Sequence, residues 1–104
     1  MKIYLNSLNE SWVVDRLKDE WLEYNKDLTT ESIKESQIIW IIAPWTWRKI
    51  PKRHLKNKKV VCSIYHIDEK KFGQKEKIEF FKRDKFVDEY HVISNTTKRQ
   101  LLEI

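Results

Sequence analysis

Glycine is almost missing from this chain: Gly73 stands alone among 104 residues. A turn that presses backbone against a dinucleotide or ATP phosphate needs several glycines, so that class of nucleotide site is excluded. Cysteine is equally scarce. One thiol, Cys62, builds neither a disulfide framework nor a zinc knuckle. Its place inside an apolar run reads as a small buried hydrophobe rather than a reactive group. No apolar stretch approaches the roughly 20 residues that cross a bilayer; the longest, 38–44, is strand-sized. The N-terminus turns polar at Asn6 before a signal-peptide core can form, and the expected location is the cytoplasm. Clustered metal ligands are lacking too. His66 and Asp68 form an H-x-D pair with no further ligands nearby, so neither a bound metal nor another cofactor is expected.

What is present is enough for one folded domain spanning 1–104. Hydrophobic residues make up 40% and include five tryptophans, sufficient for a core despite 36% charged residues. The net charge of +5 permits nucleic acid, anionic lipid or phosphorylated partners. It selects none of them, because lysine supplies 16 of the 21 basic residues and a general lysine bias gives the same excess.

Periodicity divides the chain into alternating strands and helices. Residues 2–5 form a short apolar run ended by Asn6-Ser7, a first strand and turn. Val13, Val14, Leu17, Trp21 and Tyr24 then recur at helical spacing, predicting a helix from Ser11 to about Lys26. The polar stretch 29–37 holds one short helix capped by Thr29 or Thr30. Ile38-Ile39-Trp40-Ile41-Ile42 is continuously apolar, the mark of a strand covered on both faces. Pro44 and Pro51 prevent a long helix over 45–59. Residues 60–65 form the next buried strand. A helix over 70–85 follows, with Ile78, Phe81 and Lys85 or Phe86 on one face and Gly73 separating a turn from the helix proper. Residues 89–93 are a fourth strand, and Ser94 or Asn95 caps a last helix. This alternation predicts an α/β, doubly wound, Rossmann-like domain with a mainly parallel sheet of about four strands.

In such sheets the ligand crevice lies beyond the carboxyl ends of the strands. Three segments meet there: 6–15, 43–47 and 66–68. His66 is a candidate proton carrier or hydrogen-bond donor, with Asp68 setting its tautomer. Trp45 and Trp47 alternate about Thr46, either as a platform for a sugar or base, or as core. Asp15 and Arg16 bring a carboxylate and a guanidinium to the same end, unless Arg16 pairs with Glu20 at i+4. Between Arg48 and Lys59 lie seven basic residues, a phosphate-binding patch or a solvated loop. His54 and His91 read as structural.

Taken together, Ile39-Trp40-Ile41-Ile42-Ala43-Pro44-Trp45, Ile50-Pro51-Lys52 with Leu55, Lys59-Val60-Val61-Cys62-Ser63-Ile64-Tyr65-His66-Ile67-Asp68, and Val87-Asp88-Glu89-Tyr90-His91-Val92-Ile93-Ser94 with Thr97-Lys98 and Leu101 resemble the N-terminal half of a GT-B glycosyltransferase of the group 1 kind. The stretch 12–16 is similar to the start of the first helix in some members. The resemblance implies an acceptor-side domain, paired with a second domain that holds the nucleotide-sugar donor, and metal-free transfer in the cleft between them. It implies that His66 contacts the reacting sugar or its phosphate with Asp68 in support, while Asn6, Trp12, Asp15, Arg16, Trp45 and Trp47 line a sugar or lipid-linked acceptor. The basic residues of 48–59 would face a lipid carrier or the membrane surface. Two departures are plain: Asn6-Ser7-Leu8-Asn9-Glu10 replaces the family's glycine-rich loop, and the donor-binding half is not in these residues. The expectation is a truncated domain, inactive on nucleotide-sugar without a partner. The rival expectation is a small basic module that binds nucleic acid or another anionic partner through the 45–59 loop.

Overall fold

The computed structural model describes residues 1–6, 13–42, 44–64, 72–92 and 94–104; the side chains of Val13, Val14, Asp15 and Trp45 lie outside that description. Four strands, β1 (Ile3–Asn6), β2 (Ile38–Ile41), β3 (Lys59–Ile64) and β4 (Glu89–Val92), form one sheet in the order β1-β2-β3-β4. Every pairing is parallel. The helices are α1 (Val13–Tyr24), α2 (Lys52–Asn57), α3 (Gln74–Asp84) and α4 (Asn95–Leu102). An α/β domain with a four-stranded parallel sheet and flanking helices is what the alternation predicted.

Side chains of paired residues share a face, because the side-chain period along a strand is two. One face presents Tyr4, Ile39, Ile41, Val60, Cys62, Ile64, Tyr90 and Val92. These join Trp47, Ile50, Leu55, Ile33, Phe86 and Val87 in a single core cluster. The connections between β2 and β3 and between β3 and β4 therefore pack on this face. The opposite face presents Leu5, Trp40, Val61, Ser63 and His91. Here Trp21 of α1 meets Trp40 edge to face, with ring centroids 5.3 Å apart.

The polar stretch after α1 departs from expectation. Its helical part is a 3₁₀ turn, Ile33–Glu35, preceded by Ser32, not a helix capped by Thr29 or Thr30. Thr29 instead makes an isolated parallel bridge to Ile3, and the Thr30 amide donates to the Ile3 carbonyl at 3.1 Å. Since β2 occupies the other edge of Ile3, Thr29 sits on the outer edge of β1 as a one-residue rudiment of a further strand. From β1 the chain thus moves outward across one face through α1. It then returns across the other, where Ile33 joins the core, to reach β2. Reversing direction while changing face is what crossovers of one hand require, so β1 is the point where the winding reverses.

Local chemistry accounts for most element ends. Ser94 caps α4 by accepting the Thr97 amide at 3.1 Å. The Gly73 amide donates to Glu76 at 3.0 Å before α3. Pro51 stands directly before α2, which at six residues is short, as the two prolines require. The face of α3 is a correction: Ile78 and Phe81 are 47% and 49% exposed, whereas Phe80 and Arg83 are buried. Phe80 takes the inner position because its ring stacks on Tyr90 of β4, centroids 5.8 Å apart.

Candidate functional site

Reversal of winding at β1 makes the carboxyl ends of β1 and β2, where neighbouring connections diverge, the position at which sheets of this type hold a ligand crevice. Asn6 ends β1 there. It is 9% exposed, and its side-chain amide donates to the Thr46 hydroxyl at 2.7 Å and to the Thr46 carbonyl at 3.3 Å. Its role in this structure is to tie the first turn after β2 to the end of β1. That turn is a 3₁₀ segment, Pro44–Lys49, and Thr46 within it is fully buried.

Trp47 corrects the aromatic-platform expectation. At 3% exposure it is closed off in the core, tilted against Phe86 at 5.9 Å. A buried indole N–H needs an acceptor, and Trp47 finds Glu79 of α3 at 3.0 Å. The same carboxylate receives Arg48 through two bonds, Nε at 2.7 Å and a terminal nitrogen at 2.6 Å. The Arg48 guanidinium also lies over the Trp47 ring, 4.9 Å from its centroid. These donors hold the Glu79 carboxyl down at about 2, chiefly through the Arg48 hydrogen bond. Glu79 thereby joins the β2–β3 connection to α3. Sequence reasoning missed it, since a glutamate on an amphipathic helix carries no local sign of partners more than 30 residues away.

Arg16 on α1 is exposed and takes part in neither ion pair of the described residues, Arg48–Glu79 and Lys59–Glu89. The expected Arg16–Glu20 pair is not among them. Trp12, His66 and Asp68, and the side chains of Asp15 and Trp45, fall outside the described residues. What is described at this end of the sheet is therefore the Asn6–Thr46 tie and the Trp47–Arg48–Glu79 clamp.

Two further polar arrangements lie away from this edge. On the α1 side of the sheet, the Trp40 indole N–H donates to Ser63 at 2.8 Å, and Ser63 is 3.1 Å from Nδ1 of the exposed His91. This is a structural role, as expected for His91; Ser63 is fully buried. A cleft of about 820 Å³ opens between α1 and the outer edge of β1, lined by Tyr4, Leu5, Leu22, Lys26, Thr29 and Thr30 among others. It occupies the place that additional strands take in longer sheets of this type, and Leu5 in its lining directly precedes Asn6.

The parallel sheet and its flanking helices define a Rossmann-like α/β domain. Comparison with family models, with curated proteins and with solved structures gives no match. No described helix is long and apolar enough to cross a membrane.

Proposed function

We propose that this chain is the acceptor-side domain of a GT-B glycosyltransferase, working with a donor-binding domain supplied from outside these 104 residues. The observation that carries the reading is the reversal of winding at β1 in a wholly parallel sheet of the described residues, the arrangement in which ligands bind beyond the carboxyl ends of the strands. In the sequence, His66 and Asp68 stand two and four residues past Ile64, the last residue of β3. His66 donates to a hydroxyl or phosphate oxygen of the reacting sugar, and Asp68 sets its tautomer. Asn6 and Thr46 form the floor between β1 and β2.

The reading is tested by titrating ¹⁵N-labelled chain with glucose 1-phosphate and, separately, with methyl glucoside. The expected result is movement of the Asn6 side-chain amide, the Thr46 amide and the His66 signals, lost in the His66→Ala variant. Millimolar ligand that leaves these signals unmoved, or moves them equally in His66→Ala, rejects it.

A further inference from the structure

Cations that are scattered in the sequence meet at the edge of the sheet opposite the carboxyl ends of the strands. Lys58 and Asp88 stand immediately before β3 and β4. Two adjoining clefts of about 390 and 460 Å³ open beside them. Both are lined by Lys56, Lys58 and Asp88; one adds Lys59, the other Lys85 over a floor of Leu55 and Phe86. Lys58 is not a free surface chain. Its ammonium donates to the Ser36 carbonyl at 2.5 Å and to the Lys34 carbonyl at 3.3 Å. An ammonium has three N–H donors, so one remains, on a group already held in place. Lys59 is paired with Glu89 at 3.0 Å, and Asp88 accepts the Val60 amide at 2.7 Å. Lys56 and Lys85 belong to neither ion pair of the described residues. The positive field is also felt by His54: partial burial first, then Arg53, Lys58 and Lys34, hold its pKa below the ordinary value.

We propose that these clefts form a binding site for a small phosphoanion of diphosphate type, with Lys58 at its centre and Lys56 and Lys85 as flanking point charges. Lysine suits this ligand because an ammonium meets phosphate oxygens without demanding a planar, two-bond geometry. The two clefts share two of their lysines, which matches an anion with two adjacent phosphoryl groups. Leu55 is buried in the core cluster and Phe86 packs on Trp47, so the lining offers no free ring on which a base could stack. With six residues in β3 at about 3.3 Å each, the site lies about 20 Å from the carboxyl end of that strand. It is independent of the glycosyltransferase reading.

The test is calorimetric titration of the chain with inorganic pyrophosphate, in phosphate-free buffer held at constant ionic strength with sodium chloride. Pyrophosphate is expected to bind, with amide shifts confined to 56–60 and 85–88. Loss of one charge-assisted bond weakens Kd about tenfold; this is expected in Lys56→Met and Lys58→Met but not in Lys75→Met, at the start of α3. Lys58→Met also removes two bonds to backbone carbonyls, so Lys56→Met, at an exposed position, keeps the test sound if the former folds poorly. Absence of pyrophosphate binding overturns the proposal. So does equal weakening in Lys75→Met, which means diffuse charge, or Lys56-dependent binding of duplex DNA or phosphatidylglycerol vesicles without pyrophosphate binding.

Discussion

Arg83 carries the one buried side-chain nitrogen without a hydrogen-bond partner among the described residues, its Nε. What compensates its charge is the Phe80 ring, 5.1 Å from the guanidinium carbon, and the carboxyl end of α3 on which it sits. Neither replaces an acceptor, and an incompletely paired buried cation is commonly worse than an apolar side chain of the same volume. Arg83→Met is therefore expected to leave stability unchanged or raise it by about 1 kcal/mol in urea unfolding. A loss above about 2 kcal/mol would show that the stem and ring contacts outweigh desolvation. Glu79 is the opposite case, with both carboxylate oxygens accepting hydrogen bonds. Its folded pKa, about 2, lies below the ordinary 4.5, so the stabilisation is complete above about pH 4.5 and is lost as pH falls towards 2. The side chain is 41% exposed, so screening limits the contribution to about 1 kcal/mol. In Glu79→Gln the deficit should be present at pH 7 and shrink between pH 4.5 and 2 in urea midpoints; a gap independent of pH would show that shape, not charge, holds the clamp.

At the scale of elements, α4 is eight residues long, below the length at which an isolated helix persists in water. Its first turn depends on Ser94, which accepts the Thr97 amide and donates to the Thr97 hydroxyl at 2.9 Å. Ser94→Ala should cost about 1 kcal/mol and speed exchange of the Thr97 amide first; unchanged protection there would show that packing on β4 suffices. This cap was legible in Ser94-Asn95-Thr96-Thr97, as were the four strands, because continuous apolar runs and capping residues are local signals. The inner face of α3 was not. Ile78, Phe80 and Phe81 offer two plausible stripes, and the choice is made by Tyr90, which belongs to another element. The Thr29 bridge was illegible for a related reason: one residue has no periodicity, yet it fixes where the winding reverses. Of the basic loop, composition showed the charge but not its destination. Arg48 is withdrawn to Glu79, while Lys58 and Lys85 come together from separate connections. Of the candidate site, only the place of Asn6 at the end of β1 was legible; its bond to Thr46 and the burial of Trp47 were not, because only the fold decides which way a side chain beyond a strand turns.

Across the whole molecule one apolar layer runs without a break from Tyr4 on β1 to Tyr90 and Val92 on β4, with Cys62 inside it. All strand pairings are parallel and join segments distant in sequence, so no pair can open while its neighbours keep their cover. Unfolding is therefore expected to be cooperative, and Cys62 is a reporter built into it. The thiol is fully inaccessible, and burial pushes its pKa up to about 11 against the opposing Arg83 charge. Thiolate attack on a disulfide reagent needs both exposure and ionisation, so in the native state at pH 8 the chain should resist dithionitrobenzoate. When reclosing is fast relative to labelling, the rate falls below that of the unfolded chain by the population of the open form, tenfold for each 1.36 kcal/mol of stability. The free energy obtained from labelling should match that from urea unfolding. It should also decrease with urea at the same slope, about 1–3 kcal/mol per molar. Labelling with a slope near zero would mean that β3 opens locally, and the sheet would then have to be treated as two units divided between β2 and β3.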